Sequence, residues 1–243
     1  MELARALGAT SGLVCVVGAG GKKSTLYALA DRLDSAVVTA TVRIPIFDDH
    51  VATVRVTERP TAAVRAAGPN EWPLGLVPER ERSDRYRGYD PERVADLARR
   101  GEAEAVLVKA DGARMRELKA PNDSEPRLPA GTDTVLPIAS VHAVGEPLTE
   151  AVVHRPDRVA AITGREIGEP IRPADVAAVL ASPDGGLKDA GDATVIPVLN
   201  KVDDPDLEAV AREIATEIHE RTDVERVALT RLAAAEPLVD VVE

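Results

Sequence analysis

The sequence predicts an α/β fold of the P-loop NTPase-like type, a mostly parallel sheet with helices on both faces. Three observations carry that expectation. Leu13 to Val17 is a continuous apolar run bounded by Gly12 and Gly18, the pattern of a strand buried on both faces. It runs directly into a glycine-rich segment, Gly18-Ala19-Gly20-Gly21-Lys22-Lys23-Ser24-Thr25. Strand-like and helix-like stretches then alternate along the rest of the chain, which favours parallel strands joined by helical crossovers.

The elements follow in order. A helix is expected from Lys22 to Leu33, with Leu26, Leu29, Ala30 and Leu33 at helical spacing. Val37 to Thr41 and Val51 to Val56 read as strands, Pro60 to Ala67 as a helix and Leu74 to Val77 as a strand. Pro78 to Asp90 is charged and turn-rich, a surface excursion. Asp90-Pro91 starts a helix to Arg100, with aspartate as N-cap and proline at the first helical position. Ala105 to Val108 is a buried-type strand ending at Lys109-Ala110-Asp111-Gly112. Ala113 to Thr132 is irregular and longer than an idle connection. Val135 to Val141 reads as a strand, and Arg155 to Thr163 and Pro173 to Leu180 as helices. Thr194 to Leu199 is a strand closing on Asn200-Lys201-Val202-Asp203. Asp204-Pro205 opens an amphipathic helix to His219, and Val224 to Leu229 is the last strand. The expectation is one P-loop domain over residues 1–243, with a loop-rich insertion around 113–192.

Composition narrows the function. The chain has 243 residues, 44% hydrophobic and 29% charged, an ordinary globular balance. No apolar run reaches the roughly 18–20 residues of a membrane span, and Met1 to Leu7 lacks a signal-peptide core. A cytoplasmic protein is expected. Cys15 is the only cysteine, so no internal disulfide forms; its apolar surroundings mark it as a core residue. The net charge of −11 argues against nucleic-acid binding, which needs a basic face. With only 2% aromatics, an acid-rich surface and few lysines, the composition suits a halophilic, salt-loaded cytoplasm. Lysine occurs only at 22, 23, 109, 119, 188 and 201, and several of these fall inside motifs.

In a P-loop, backbone amides at a helix N-terminus surround phosphate, the lysine reaches the outer phosphates and the following hydroxyl holds Mg²⁺. With Lys22 in the lysine slot Gly21 is correct, but Val16 replaces the first glycine and Lys23 replaces the hydroxyl. A lysine cannot ligate Mg²⁺, so Ser24 or Thr25 would have to substitute, or Lys23 would replace part of the metal's charge. Gly18, Gly20, Gly21, Lys22, Lys23, Ser24 and Thr25 are therefore the candidate phosphate site. Asp111, at the end of a second buried strand, is placed to organise Mg²⁺ with Ser24, although Asp111-Gly112 also suits a plain turn. Arg114 and Arg116 follow closely enough to meet phosphate oxygens.

Asn200-Lys201-Val202-Asp203 has the form N-K-x-D. In that pattern the aspartate accepts two hydrogen bonds from the guanine edge, the lysine stem covers the base and the asparagine ties the loop to the P-loop. Asp204 is available to cap the next helix, leaving Asp203 for the base. His142, His154 and His219 have no metal-ligand spacing. His154-Arg155-Pro156 suits a site element or a surface turn equally, and His50 and His219 read as solvated.

Four stretches together resemble the YqeC family of accessory proteins for selenium-dependent molybdenum hydroxylases: VVGAGGKKSTL, VLVKADGARMRELKAPNDSEPRLP, GEPLTEAVVHRPDRVAAITG and VIPVLNKVDD. They run in order from Val16 to Asp204. The resemblance implies a P-loop nucleotide-binding fold using GTP or ATP with Mg²⁺, and partners among molybdenum hydroxylases or their cofactor-maturation proteins. It also implies roles for Asp111 and Arg114 in catalysis, and for Lys119, Glu125, His154 and Arg155 toward substrate. The chain departs from that family's pattern at Lys23, Lys109 and Ala113, where threonine, glutamate and serine are usual. The threonine-rich stretch is also thinned to Thr39-Ala40-Thr41-Val42-Arg43. Weak NTPase activity is one expectation. Alternatives are phosphoryl transfer to a small molecule beneath a lid at Ala113 to Thr132, a ligase (the short loop is similar to that of ATP-dependent cell-wall ligases), and a non-hydrolysing nucleotide-gated chaperone.

Overall fold

A computed structural model describes residues 2–243. In chain order it contains α1 (Glu2–Ala6), β1 (Gly12–Gly18), α2 (Lys22–Ala30), β2 (Ala36–Ala40), β3 (Ile44–Pro45), β4 (Thr53–Val56), α3 (Pro60–Arg65) and β5 (Leu74–Val77). There follow β6 (Arg85–Tyr86), α4 (Pro91–Arg99), β7 (Ala105–Lys109), β8 (Leu118–Lys119), β9 (Thr134–Ser140), β10 (Val153–His154), α5 (Pro156–Thr163) and α6 (Pro173–Leu180). The last part holds β11 (Thr194–Val195), β12 (Val198–Asn200), α7 (Pro205–His219), β13 (Val227–Thr230) and β14 (Leu238–Val242).

Ten strands make one sheet in the order β14-β13-β12-β9-β1-β7-β2-β5-β4, with β11 also on β9. Every pairing in it is parallel except β13 with β14. Alternation along β1 explains why both faces are covered. Val14 and Val16 pack with Leu26 and Leu29 of α2 and with Leu3 of α1. Leu13, Cys15 and Val17 face the other way, against Val64 of α3 and Val94 and Leu97 of α4. A third cluster joins α5, α6 and α7 to Ala139, Leu199 and Leu229 of the sheet. This is the α/β architecture the strand–helix alternation predicts. No helix among the described residues is long and apolar enough to cross a membrane.

Several local expectations need correction. The strand expected over Thr194 to Leu199 is two strands, β11 and β12, separated at Ile196-Pro197, because proline cannot donate to a ladder. The last strand is not Val224 to Leu229: β13 begins at Val227, and β14 follows as an antiparallel edge. Pro78 to Asp90 is only partly a surface excursion. Tyr86 and Tyr89 are buried, their hydroxyls donating to Asp48 Oδ2 at 2.7 Å and Thr57 O at 2.6 Å. Asp90 does not cap α4 with its side chain; it pairs with Arg127 at 3.2 Å. His219 is half-buried, its Nε2 lying 3.3 Å from Val242 O, and the exposed His50 stacks on Tyr27 at 4.1 Å between ring centres.

Candidate functional site

The parallel strands β2, β7, β1, β9 and β12 end on the same edge of the sheet. Ligands of open α/β sheets bind in the crevice at the carboxyl ends of the strands. Those ends deliver Lys109 as the last residue of β7 with Asp111 just beyond it, Gly18 at the end of β1, Ser140 at the end of β9 and Asn200 at the end of β12.

Strand β1 persists to Gly18 and α2 starts at Lys22, so the loop between them is only Ala19-Gly20-Gly21. Val16 lies within β1 with its side chain in the core, which accounts for the missing first glycine. Gly18 and Gly20 have φ of 88° and 81°, the left-handed region that glycine enters without penalty. A Cβ at Gly18 would strike Ile138 O, and one at Gly20 would strike Ser140. Ala19 N donates to Ile138 O at 2.8 Å and Gly20 N to Arg116 O at 2.9 Å. The amides of Gly21, Lys22, Lys23 and Ser24 have no acceptor among the described residues, and no side chain caps α2. Four open amides at a nine-residue helix N-terminus suit one phosphoryl group. Thr25 is buried and donates Oγ1 to Gly21 O at 3.1 Å, so it serves the helix. Ser24 is the partly exposed hydroxyl of this turn.

Behind the loop lies a buried charge cluster. Lys22 Nζ donates to Gly18 O and stands 2.9 Å from Asp111 Oδ1. That second contact is an ion pair by distance without hydrogen-bond alignment, which leaves Oδ1 buried with no hydrogen-bond partner. Asp111 Oδ2 accepts from Gly18 N at 2.8 Å and from Lys119 Nζ at 2.7 Å. Lys119 also donates to Glu125 Oε2 at 2.8 Å; that oxygen accepts from Arg155 Nη1 at 2.8 Å, while Oε1 accepts from Gly112 N at 3.1 Å. Lys109 Nζ donates to Asp111 O at 2.6 Å and Arg43 O at 3.0 Å. Among the described residues, the carboxylates that Lys22, Lys109, Lys119 and Arg155 face are thus those of Asp111 and Glu125.

The electrostatic consequences differ by group. Burial lowers the Lys22 pKa, and Asp111 only partly offsets it. Burial, then repulsion from Lys22, brings Lys109 down to about 7. Burial pushes Asp111 and Glu125 upward, but Lys22 and Lys119 outweigh it for Asp111, and Lys119 with the Gly112 amide for Glu125, so both end below their usual values. Burial and Arg155 lower His154 to about 4, and so neutral at pH 7. Lys109 makes a testable case. Between its folded value near 7 and its unfolded 10.5 the unfolded chain binds the extra proton, so stability rises with pH across that window. The slope from this one group is about 1.4 kcal/mol per pH unit. Lys109→Met should flatten the rise, as read by urea unfolding at pH values below and above the folded pKa.

On the far side of the loop, Asn200 Nδ2 donates to Gly20 O at 2.7 Å, and its Oδ1 accepts from Leu232 N at 3.0 Å and Thr230 Oγ1 at 3.3 Å. A Cβ on Gly21 would collide with the Asn200 amide, so that position has room only for glycine. Lys201, at φ 66°, donates to both Glu117 oxygens at 2.6 and 2.7 Å. Asp203 is 55% exposed and lies 3.6 Å from His142 Nε2. The α7 cap is Asp204, whose Oδ1 accepts from Leu207 N at 2.9 Å.

Lys119, Glu125 and Arg155 are therefore gathered with Asp111 and Lys22, whereas Lys201 and Asp203 stand with Glu117 and His142 beyond Asn200. His154 sits on β10, paired in register with Lys119 on β8. Arg114 is exposed and has no partner among the described residues. Sequence reasoning missed Glu117, whose carbonyl accepts Ser140 N at 3.0 Å while its carboxylate holds Lys201. It also missed Lys188, which donates to Asn122 O at 2.6 Å and Glu125 O at 2.9 Å. With Arg158 on Asp123 at 3.0 Å and Arg127 on Thr41 O at 2.9 Å, these contacts hold residues 119–127 against the site. The scarcity of lysine was the one signal that could have drawn attention to Lys188.

Mg²⁺ requires oxygen ligands in near-octahedral array. Asp111 is committed to Lys119, the Gly18 amide and the Lys22 charge, and cations outnumber carboxylates around it. The donor set does not fit a dication held by Asp111 and Ser24.

The chain matches the YqeC protein family over residues 14–157, a span that contains the glycine loop, Asp111, Lys119, Glu125, His154 and Arg155. It is 28% identical over 180 residues to a protein described as "Uncharacterized protein YqeC" from Escherichia coli (strain K12), covering 72% of this chain and 70% of that one. The family match takes in more than half of the chain, and with the sequence likeness it establishes that this chain belongs to the YqeC family.

Proposed function

We propose that this protein binds a nucleoside phosphate, GTP in preference to ATP, at the strand-β1-to-helix-α2 turn. A phosphoryl group lies on the amides of Gly21, Lys22, Lys23 and Ser24, which have no acceptor of their own, with Lys22 turning from Gly18 O toward it. The observation that carries the reading is the 2.7 Å bond from Asn200 to Gly20 O. It fixes the Asn200–Asp203 loop against the phosphate turn, so that one ligand can span both. Asp203 needs no role as a helix cap and offers its carboxylate to the N1–H and N2–H₂ edge of guanine, which adenine lacks. Following the family resemblance, the role of this binding lies in maturation of the molybdenum cofactor or of selenium-dependent molybdenum hydroxylases. Turnover is slow or absent, because the turn is short and Lys23 stands where a catalytic metal's hydroxyl ligand is needed.

Base reading is tested by Asp203→Asn. The asparagine amide donates where the carboxylate accepted, which suits the C2 carbonyl of xanthine and not the amino group of guanine. Fluorescence titration should show GTP affinity falling by about 10–100-fold while xanthosine triphosphate gains, the scale of a lost charge-assisted pair. Unchanged GTP affinity in that variant removes the guanine assignment.

A further inference from the structure

Resting on the nucleotide reading above, we propose that the site takes its nucleotide as the metal-free anion, with lysine and arginine side chains supplying the charge a divalent cation otherwise brings. The carboxylate that Lys22 meets, Asp111, is already committed. Its Oδ2 accepts from the Gly18 amide and Lys119, and its Oδ1 faces Lys22. A dication placed there would meet the ammonium groups of Lys22 and Lys119, and that of Lys109 when protonated, all largely buried with little water to screen them.

The hydroxyls of the turn point the same way. Thr25 is turned inward onto Gly21 O, leaving Ser24 as the one partly exposed hydroxyl among the described residues of the turn, and Lys23 occupies the helix position after the loop lysine, where it can donate to phosphate but cannot ligate a metal. Lys23, Arg114 and Arg116 also lack an acidic partner among the described residues. That is notable in a chain of net charge −11, where arginines such as Arg43, Arg55, Arg65 and Arg212 are paired with carboxylates. Arg116 is held at the turn by its own carbonyl, which accepts the Gly20 amide. A cluster with more buried cations than carboxylates is neutralised by a polyphosphate anion, whereas a metal–nucleotide complex has already lost much of that negative charge.

The test is titration of the full-length protein with a fluorescent GTP analogue, once in excess MgCl₂ and once in EDTA. Affinity in EDTA is expected to match that in Mg²⁺ within about threefold or to exceed it. Lys23→Thr should weaken binding in EDTA by about tenfold, the scale of one charge-assisted hydrogen bond. Binding that is more than about threefold tighter with Mg²⁺ overturns the metal-free assignment and leaves nucleotide binding standing. An unaltered EDTA affinity in Lys23→Thr also overturns it, since Lys23 would then carry none of the charge. Absence of binding in both buffers removes the nucleotide reading and this inference with it.

Discussion

Asp111→Ala is expected to lower the stability of the folded protein by about 3–5 kcal/mol, the usual cost of removing one partner from a buried ion cluster. For a chain of this size that corresponds to a fall in melting temperature of roughly 6–20 °C. The reason is geometric. Asp111 is 2% exposed and is the common acceptor for the Gly18 amide and Lys119, while also facing Lys22. Its removal leaves buried ammonium groups with only Glu125 as carboxylate partner and frees the end of β1. Asp111→Asn, which keeps an acceptor oxygen but not the charge, should cost less than alanine. Because the folded state holds the Asp111 pKa below its ordinary value, its contribution is complete above the unfolded pKa and is lost as pH falls through the folded one. The gap between wild type and Asp111→Ala should therefore close in acid. Thermal unfolding of both variants across pH measures this; a melting point within a degree or two of wild type at neutral pH would show that the cluster does not support the fold.

Lys22→Met should abolish most nucleotide affinity while leaving the fold intact. Methionine fills nearly the same buried volume, and Asp111 keeps Lys119 and the Gly18 amide as partners. The charge on Asp111 is thus still compensated, so the melting temperature should move by only a few degrees. Affinity should fall by about 100-fold, roughly 3 kcal/mol, because the buried charge-assisted contact to phosphate is lost. The contrast between the variants separates architecture from binding: Asp111 holds the loop in place, and Lys22 meets the ligand. A Lys22→Met protein that binds nucleotide normally would move the phosphate away from this turn.

What was legible in the sequence was mainly what is local. The strand–turn–helix at Gly12–Ala30 follows from a run of apolar residues, glycines that avoid side-chain collisions, and a helical apolar pattern. Strand β5 and helices α6 and α7 kept the bounds their apolar spacing, Pro173 and Asp204-Pro205 implied. The position of Asn200 at a strand end was also visible, because a buried-type strand leads into it. The ladder break at Pro197 was written in the sequence, but the apolar residues on either side of it masked it. The antiparallel β14 was hidden for another reason: as an edge strand, none of its residues is fully buried, so its pattern is weak.

The charge cluster was legible as residues but not as contacts. The family resemblance pointed to Lys119, Glu125 and Arg155, yet nothing local says that Arg155 reaches Glu125 thirty positions away or that Lys119 reaches Asp111. Glu117 and Lys201 are separated by 84 positions, and their pairing depends on where β12 lies in the sheet. Long-range ion pairs are set by strand order, which short sequence windows do not encode.

Isothermal titration of the unmodified protein with GTP and then with ATP tests nucleotide recognition most directly. One binding event per chain is expected, with GTP at least about tenfold tighter than ATP. No heat with either nucleotide at millimolar concentration, or equal affinity for both, would contradict a guanine nucleotide held between the amides of α2 and Asp203.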